Sequence, residues 1–272
     1  FTFADKNAGT GKAVNVTGTT LTGADAENYT LALPASALAD IVKKAITGSL
    51  AADNKIYDGS TTGTGAVSLH GVVAGDTVGT TGSVFTFADK NAGTGKTGAV
   101  TGTTLTGIDS GNYTLTVPAS ALADILKKAL TITATANGKT YDGTTATTGN
   151  VALNGVVVGD TVGTTGSVFT FADKNAGTGK AVNVAGTTLT GADAGNYTLT
   201  LPASALADIL QKALTATVTA NGKTYDGTTA ATGSVALDGV VSGDSVSTGG
   251  ITFTFAHKNA GTGKGVGVGG GA

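Results

Sequence analysis

The sequence predicts an all-β protein built from tandem small β-sandwich repeats. The word "FTFA" begins at Phe1, Phe85, Phe169 and Phe253, so the sequence returns at an interval of 84 residues. Apolar residues alternate with Thr and Ser in short runs, which is the period of a half-buried strand. Stretches rich in Gly and Asn separate these runs and favour turns.

The repeat divides the chain into two complete and two partial units. We place partial repeats at residues 1–44 and 213–272 and complete repeats at residues 45–128 and 129–212. A period of 84 residues is the size of an Ig-like β-sandwich, so we expect each complete repeat to be a domain and the array to form an elongated rod. Because the chain starts and stops within a period, we interpret it as a segment of a longer protein, and a signal peptide, anchor or tip domain would lie outside it.

The composition argues against several classes of function. The net charge of −2 and the charged fraction of 12% predict no nucleic-acid partner and no attraction to anionic membranes. No apolar run reaches the about 18 residues that a spanning helix needs, so we predict no membrane insertion in this segment. The sequence has no cysteine, which rules out disulfides, thiolate metal ligands and a cysteine nucleophile.

Two hairpins are expected in residues 129–212. The strand "ALTITATA" ends at Asn137–Gly138, a pair that accepts positive φ, and "KTYD" would be the return strand. The pair Asn154–Gly155 separates "NVAL" from "VVV" in the same way. Both pairs therefore predict tight turns between antiparallel neighbours.

Alternating apolar residues mark the strands of this repeat and the side chains that face the core. The pattern predicts about six or seven short strands, which two packed sheets would bury. The core-facing positions are Leu130 and Ile132 in "ALTITATA", Phe169 and Phe171 in "SVFTFA", Val182 and Val184 in "AVNV", and Tyr197, Leu199 and Leu201 in "NYTLTL".

The segment "PASALADILQKAL", from Pro202 to Leu214, is compatible with two structures. Pro suits a first helical turn, and Leu206, Ile209 and Leu210 have helical spacing. A strand that runs into the next repeat is the alternative. We favour the strand because "LTATVTA" follows without a loop.

One stretch, "KNAGTGKT" from Lys90, is similar to the end of a phosphate-binding P-loop. The first glycine of that motif is missing, because counting back from Gly95 reaches Lys90, and the residues after Lys96 favour a strand over the required helix. The other copies replace the magnesium-binding hydroxyl with Ala13, Ala181 and Gly265. We therefore predict a turn between strands, and neither a nucleotide nor any other cofactor.

The recurring "YDG" begins at Tyr57, Tyr141 and Tyr225. A ligand-contacting patch is one interpretation, and a structural turn is the one we favour. Tyr can bury its ring with the hydroxyl at the edge, Asp can accept backbone N–H bonds in a turn, and Gly takes a conformation that other residues avoid.

Three acidic loops, "GADAEN", "GIDSGN" and "GADAGN", carry Asp25, Asp109 and Asp193. Calcium prefers about six to eight oxygen ligands and several carboxylates, whereas each loop offers one reliable carboxylate. We predict Asx-turns and no metal at these positions, with calcium binding as the alternative.

Asn28, Asn112 and Asn196 each begin an Asn-Tyr-Thr sequence that fits the acceptor pattern for N-linked sugar. The pattern is frequent by chance in a Thr-rich chain and is also typical of a strand. We favour the strand interpretation, with glycosylation as the alternative.

The two histidines, His70 and His257, occupy turn positions where the sister repeats have Asn or Asp. We expect both to be exposed. Two unmatched histidines cannot complete a Ser-His-Asp triad or a metal site, so we predict that the chain is not an enzyme.

The words "KTYDGTT", "FADKNAGTGKAVNV" and "LTGADAGNYTL", in this order and spacing, resemble the YDG-type repeat of very large bacterial surface adhesins. Such proteins are similar to the filamentous-haemagglutinin class, which is often exported by two-partner secretion. The resemblance covers essentially the whole chain. It implies an extracellular, mostly β module on the bacterial surface that serves as stalk or matrix material and has no catalytic residues.

Two functions of different class follow. We favour a structural array that forms the stalk or fibre of an extracellular adhesin or surface filament, in cell adhesion or biofilm matrix. The alternative is a multivalent module with one weak glycan- or receptor-binding site per repeat, which gains avidity from repetition. The expected partners are further copies of the chain, associated laterally or end to end through open sheet edges, or a host-cell or matrix glycan or protein.

Overall fold

The structure, a computed structural model, describes residues 1–202 and 204–270. Its regular structure is β, apart from three single-turn 3-10 helices at Ala26–Asn28, Ser110–Asn112 and Ala194–Asn196. Over the described ranges, no helix is long and apolar enough to span a membrane. The predicted all-β class is confirmed. Thr and Val explain it, because β-branched side chains pack well on a pleated sheet.

The strands are between two and nine residues long. In the first half of the chain they are β1 (Thr2–Phe3), β2 (Gly9–Asn15), β3 (Ser36–Ile41), β4 (Lys44–Ala52), β5 (Lys55–Ile56), β6 (Thr62–Gly63), β7 (Gly65–His70), β8 (Gly79–Thr81), β9 (Val84–Phe87), β10 (Gly93–Thr101), β11 (Thr104–Thr106), β12 (Tyr113–Thr116) and β13 (Ser120–Leu126).

The second half of the chain continues with a similar series. Its strands are β14 (Lys128–Ala136), β15 (Lys139–Thr140), β16 (Ala146–Thr147), β17 (Gly149–Asn154), β18 (Gly163–Thr165), β19 (Val168–Phe171), β20 (Gly177–Ala185), β21 (Thr188–Thr190), β22 (Tyr197–Thr200), β23 (Ala205–Leu210), β24 (Thr215–Ala220), β25 (Ala230–Ala231), β26 (Gly233–Asp238), β27 (Thr252–Phe255) and β28 (Val266–Gly269).

The chain forms two compact units whose residues interleave in sequence. The first unit comprises Phe1–Leu130, Gly155–Val162 and Gly191–Thr198, and the second comprises Thr131–Asn154, Gly163–Thr190 and Leu199–Ala272. Two loops of the repeat at residues 129–212 therefore belong to the first unit. The repeat boundaries that we set at residues 44, 128 and 212 stay a prediction.

The first unit contains a five-stranded sheet in the order β5-β13-β10-β9-β6. Its pairs are antiparallel except that β5 runs parallel to β13. A second sheet has the order β12-β4-β7, with β12 parallel to β4. Buried side chains alternate along the strands and include Ile46, Phe85, Phe87, Val100, Tyr113 and Ile125. Each sheet therefore buries one of its faces.

The second unit contains a five-stranded sheet of the same order, β15-β23-β20-β19-β16. Beside it, β14 pairs with β17 over residues 131–136, and β24 pairs with β26. The core consists of Phe169, Phe171, Val182, Val184, Ala205 and Ile209. The predicted core positions in "SVFTFA" and "AVNV" are thus confirmed, whereas Leu201 is exposed and its prediction is wrong.

Neither predicted hairpin forms. After β14 the chain enters β15, which pairs in parallel with β23, and β17 lies beside β14 instead. Asn137 explains the difference, since its backbone N–H donates to the Thr148 carbonyl and its amide donates to Thr148 Oγ1. Gly155 turns the chain with a φ of +96°, but "VVV" is not a strand.

The segment from Pro202 to Leu214 contains strand β23, so the strand interpretation is confirmed over residues 205–210 and the helix is wrong there. The prediction that this strand runs into the next repeat is wrong, because residues 211–214 lie outside any strand. Ala203 lies outside the described residues. Side-chain burial alternates along this segment as it does in a strand, because Ala205 and Ile209 are buried while Leu206 and Leu210 are exposed.

The described part of residues 128–210 holds ten strands, β14 to β23, where we expected six or seven. The additional strands have two or three residues, too few to show an apolar period.

Connections between some long strands are equally short. One residue, Lys127, separates β13 from β14, and two residues separate β3 from β4.

Candidate functional site

Five side chains from recurring motifs meet in the first unit, and we call them the Asp160 cluster. They are Tyr57 of "YDG", Lys90 of "KNAG", Asp160 of "VVVGD", and Asp193 and Tyr197 of "GADAGNY". The first two lie in the predicted repeat at residues 45–128 and the other three in the predicted repeat at residues 129–212. The cluster therefore connects side chains of two consecutive predicted repeats.

Asp160 lies at the centre of the cluster, with only 2% of its side chain exposed. Its Oδ2 accepts hydrogen bonds from Tyr57 Oη at 2.7 Å and Tyr197 Oη at 2.5 Å. Its Oδ1 accepts one from Lys90 Nζ at 2.8 Å. A buried carboxylate is stable only where donors replace water, and these three groups do so.

The two tyrosine rings close the cluster against solvent. Tyr57 and Tyr197 are both buried and pack edge to face, with ring centroids 5.4 Å apart and an angle of 77° between the planes. Lys90 Nζ lies 5.8 Å from the centroid of Tyr57, within the range of a cation–π interaction. The rings lower the local polarity, which strengthens the charged hydrogen bonds beside them.

A second set of hydrogen bonds anchors the loop that carries Tyr197. Asp193 Oδ2 accepts from the Thr161 backbone N–H at 2.8 Å. Asn196 Oδ1 accepts from the Ala92 N–H at 2.9 Å, and its Nδ2 donates to Asn91 Oδ1 at 3.3 Å. The loop thus binds its own repeat through Thr161 and the preceding repeat through Asn91 and Ala92.

Electrostatics fix the protonation states of the cluster. Burial acts to raise the pKa of Asp160, but hydrogen bonds from Lys90, Tyr197 and Tyr57 outweigh it and lower that pKa to about 2. The hydrogen bond to Asp160 raises the pKa of Lys90 well above its usual range. Burial, and then the bond to Asp160, raises the pKa of Tyr197 to about 12. Such values suit a permanent ion pair, whereas proton transfer at neutral pH needs a pKa nearer 7.

Gly59, the glycine of "YDG", is required by both its conformation and its neighbour. Its φ is +81°, and a Cβ atom there would lie 2.8 Å from Val157 Cγ1. The next copy has the same arrangement, with φ of +79° at Gly143 and the same distance to Val241 Cγ1. This prediction of an unusual glycine conformation is confirmed, and the contact adds a packing reason.

Two related clusters occur elsewhere in the chain. In the first unit, Asp76 accepts from Lys6 Nζ at 2.8 Å and from Tyr113 Oη at 2.5 Å. In the second unit, Asp244 accepts from Tyr141 Oη at 2.6 Å and from Lys174 Nζ at 3.2 Å. We call the last three residues the Asp244 cluster. The pairing of one lysine and one tyrosine with a "GD" aspartate thus occurs at Asp76 and Asp244 as well as at Asp160.

The stretch that is similar to a P-loop forms a turn and a strand. Lys96 lies in β10 and pairs with Asp89, whose carboxylate also accepts the Asn91 N–H at 2.8 Å. Gly95 has a φ of +59° and donates its N–H to Asp124 Oδ1 at 2.7 Å. The predicted turn before a strand is confirmed. The glycine N–H that would face a phosphate is already bonded to a carboxylate.

The aspartate of "YDG" behaves as predicted. Asp58 Oδ1 accepts the Ser60 N–H at 2.8 Å, and Asp142 Oδ1 accepts the Thr144 N–H at 2.9 Å. The hydroxyl of Tyr57, by contrast, does not lie at a solvent-exposed edge but belongs to the Asp160 cluster.

The acidic loops differ from the prediction in the partner of their carboxylates. Asp109 and Asp193 accept from the backbone N–H groups of Thr77 and Thr161, so the Asx-turns predicted there are wrong. A 3-10 turn follows each aspartate and supplies local backbone bonds instead. The side chain of Asp25 likewise caps no helix. Across residues 1–202 and 204–270, no group of three or more His, Cys, Asp or Glu side chains is placed to hold a metal ion.

The three Asn-Tyr-Thr positions lie in different environments. Asn196 is buried with both amide atoms hydrogen bonded, Asn112 is partly buried, and Asn28 is exposed. A sugar on Asn196 would break its hydrogen bonds. His70 and His257 are both exposed, as predicted, and neither belongs to a cluster described above.

Sequence reasoning did not select Asp160, the residue at the centre of the site. A signal was present, because "GD" recurs at residues 75–76, 159–160 and 243–244 with the interval of the other motifs. Taken locally, such a pair indicates no more than a turn. The buried environment of Asp160 depends on contacts across about 100 residues of sequence, such as Tyr57 with Asp160, which a local pattern does not contain.

The fold and the cluster define an all-β tandem-repeat protein whose recurring motifs bind one another. A family model for the YDG domain matches residues 1–37, 42–121, 126–205 and 210–271. These matches cover nearly the whole sequence, and the chain belongs to the YDG domain family. No curated protein and no solved structure matches it.

Proposed function

We propose that the chain is a structural repeat array that forms the stalk or fibre of an extracellular bacterial adhesin or surface filament, in cell adhesion or biofilm matrix. In this proposal each period of 84 residues is a small Ig-like β-sandwich, and consecutive periods stack into a rod. The array sets the distance between its two ends and carries out no reaction.

One observation carries the proposal: the most distinctive side chains of each repeat are used to hold the next repeat. Tyr57 and Lys90 of one repeat bind Asp160 of the following one, and that carboxylate is closed to solvent. In the described part of the chain, no buried side-chain nitrogen or oxygen lacks a hydrogen-bond partner. Residues that are engaged in this way favour a stiff junction over a ligand site.

The cellular setting rests on the resemblance to YDG-type repeats of large bacterial adhesins, exported by two-partner secretion. A low charge and exposed Thr-rich strands are in keeping with an extracellular location. The partners in this proposal are further copies of the chain, and a host-cell or matrix glycan or protein bound by other parts of the adhesin.

Removal of one period tests the proposal. Deleting Ala129–Lys212 joins Lys128 to Ala213 and keeps the order of the motifs. We expect a folded chain whose largest dimension in small-angle X-ray scattering is shorter by roughly 20–30 Å, the length of a short strand block.

The same variant separates the proposal from its alternative. An unchanged largest dimension, or loss of folded structure on deletion, would contradict a modular stalk. Binding to an array of host glycans or matrix proteins that weakens steeply with each repeat removed would support the multivalent module instead.

A further inference from the structure

One face of the five-stranded sheet in the first unit is apolar and exposed. Along β13 the side chains alternate, because Ala123 and Ile125 are 6% and 2% exposed whereas Leu122 and Leu126 are 67% and 49% exposed. The exposed leucines therefore point away from the core. We call this side of the sheet the outer face, and its main side chains are Ile56, Val84, Thr97, Leu122, Asp124 and Leu126.

The apolar residues of the outer face lie side by side. Leu126 of β13 and Ile56 of β5 are register partners, and Ile56 is 61% exposed. Thr97 of β10 lies opposite Leu122, and Val84 of β9 is 53% exposed. Single exposed apolar side chains are normal on a protein surface, but a contiguous patch indicates an interaction site.

The outer face carries little charge. Among the described residues of these five strands, Asp124 is its one charged side chain, and the Asp124 Oδ1 atom accepts the Gly95 N–H at 2.7 Å. The lysines of the same strands, Lys55 and Lys96, form ion pairs with aspartates of neighbouring loops. The face therefore suits an apolar, Thr-rich partner better than a strongly charged one.

The second unit repeats the outer face on its own five-stranded sheet. In β23, Leu206 and Leu210 are 68% and 59% exposed, and Val168 of β19 is 58% exposed. Asp208 Oδ1 accepts the Gly179 N–H at 2.7 Å, as the corresponding aspartate of the first unit does with its glycine. Each unit thus presents one apolar face of the same construction.

The exposure of these leucines does not depend on an incomplete repeat. Leu122 lies in a predicted repeat that a complete repeat follows in sequence, and Leu206 lies in one that a complete repeat precedes. Both sheets have five strands in the same order, and the two leucines are almost equally exposed. A leucine that is exposed in both complete repeats contributes little to the core of its own unit.

The size of the outer face shows how many faces a stable contact needs. Strands are about 4.8 Å apart and rise about 3.3 Å per residue, so each strand residue covers about 16 Å² of a sheet. About two dozen strand residues then give roughly 400 Å² per face, and two faces in contact bury roughly 800 Å² together. A stable interface buries about 1,600 Å², which corresponds to two pairs of faces.

We propose that copies of the chain associate laterally through their outer faces, packed sheet on sheet. This inference rests on the proposed stalk function and names the partner as a second copy. A second copy is favoured because it brings an outer face in each unit, and two pairs of faces reach the area of a stable interface. Sheets in such a contact lie about 10 Å apart with interdigitated side chains, so Leu122 and Leu206 would become buried.

A charge placed on the outer face tests the contact. In sedimentation velocity, the unmodified full chain is expected to form larger species as its concentration rises. Leu122→Lys should weaken this association at least tenfold, because it would bury an unpaired charge between two apolar faces. Val158→Lys is the matched control, since Val158 is 100% exposed and lies outside any strand of the first unit. It adds the same charge and should leave association unchanged within twofold.

Replacement of all copies of the leucine should abolish association. The position recurs at Leu38, Leu122 and Leu206, and Leu38 is 73% exposed. A chain with Lys at all three positions is expected to stay monomeric at concentrations where the unmodified chain associates. If this triple variant loses the β-sheet circular dichroism signal, Thr at the three positions keeps the strand preference and should weaken association at least tenfold.

Alkylation of a single introduced cysteine distinguishes a face contact from a contact between strand edges, because the chain has no cysteine of its own. Thr97→Cys places a thiol in the middle of the outer face, and Val158→Cys is the control. Under reducing conditions, association should slow the alkylation of Thr97→Cys at least fivefold and leave that of Val158→Cys unchanged. Edge-to-edge pairing would leave the face open and both rates unchanged.

Three outcomes would overturn the inference: an unmodified chain that stays monomeric, association that the lysine variants do not weaken, or alkylation of Thr97→Cys that association does not slow. The length change expected from deleting Ala129–Lys212 is measured on the monomeric triple variant, so the two proposals fail separately. A monomeric chain that shortens on deletion rejects the lateral contact and retains the stalk. A chain that associates through its outer faces but does not shorten rejects the stalk and retains the contact.

Discussion

The Asp160 cluster and the Asp244 cluster contain the same three residue types but differ in what surrounds them. Both have a tyrosine and a lysine on one carboxylate, with Lys–Asp distances of 2.8 Å and 3.2 Å. The Asp160 side chain is 2% exposed and the Asp244 side chain is 20% exposed. In the first unit, Tyr197 and its loop cover the ion pair. The covering loop, and not the pair alone, is what removes water from the junction.

This difference decides how strongly each pair stabilises the fold. An ion pair that keeps contact with water contributes little, because solvent screens it and both side chains lose freedom. A buried pair contributes little over an apolar replacement, but removal of one partner leaves an unpaired charge in a dry site. The same substitution should therefore have unequal effects in the two clusters.

The largest effect is expected from Asp160→Ala. It leaves Lys90 and two tyrosine hydroxyls without their acceptor, and we expect a loss of about 3 kcal/mol in the free energy of unfolding of the first unit. Asp244→Ala should cost clearly less, because water can replace the lost carboxylate there. Urea denaturation of the full chain, followed by circular dichroism, measures both. Equal losses in the two variants would show that the covering loop does not matter.

A smaller effect is expected from Gly59→Ala, for which Gly227→Ala is the matched control. The two glycines have φ of +81° and +83°, but a Cβ atom on Gly227 would meet no atom within 4 Å, whereas one on Gly59 would meet Val157 at 2.8 Å. Both variants should lose about 1 kcal/mol through the left-handed conformation. Gly59→Ala should lose about 1 kcal/mol more through overpacking of the junction.

A double variant isolates that contact. Val157→Ala should remove the additional loss in a Gly59→Ala background and leave the conformational loss in place. Urea denaturation of the four chains of this cycle provides the measurement. An additive result would place the cost of Gly59→Ala in the backbone alone.

A further expected effect is a dependence on acid. The pKa of Asp160 is about 2 in the folded chain, and an unfolded aspartate has a pKa of about 3.9. Because the folded pKa is the lower one, the unfolded chain binds more protons between these values. The contribution of Asp160 is therefore complete above about pH 4 and is lost as pH falls towards about 2.

Asp160→Asn is the variant that sharpens this comparison. Its free energy of unfolding should change less than that of the unmodified chain between about pH 4 and pH 2. Asp244→Asn should alter the pH dependence of the free energy of unfolding by a smaller amount, because the ion pair of Asp244 is longer and its side chain is less buried. A slope that Asp160→Asn leaves unaltered would mean that other carboxylates govern acid unfolding.

Local pattern predicted the parts of the fold that repeat within a few residues. Alternation identified the core side chains Phe169, Phe171, Val182 and Val184, whereas the strand β23 was favoured over a helix because "LTATVTA" follows without a loop. The hairpin signal failed at Asn137–Gly138, where these two residues connect β14 to β15 but the strands take other partners. Strand pairing depends on contacts between distant segments, and a hairpin signal contains no information on them.

The site was predictable in its pieces and not in its assembly. "YDG", "KNAG" and "GADAGNY" each stand out in the sequence, and each by itself predicts only a local turn. Their common function required the knowledge that Tyr57 and Asp160, which lie 103 residues apart in sequence, share a hydrogen bond. The recurrence of these three motifs and of "GD" at one interval was the available hint, since residues that bind the neighbouring repeat must recur together.

The single residue between β13 and β14 determines how the chain would respond to mechanical load. A trans peptide unit reaches about 3.8 Å at most, so Lys127 offers no reserve of length when the two ends are pulled. Tension passes directly from one paired strand to the next, and extension begins only when a ladder of hydrogen bonds ruptures. Under increasing force, such a chain would lengthen in discrete steps, each of which corresponds to the rupture of one ladder of hydrogen bonds.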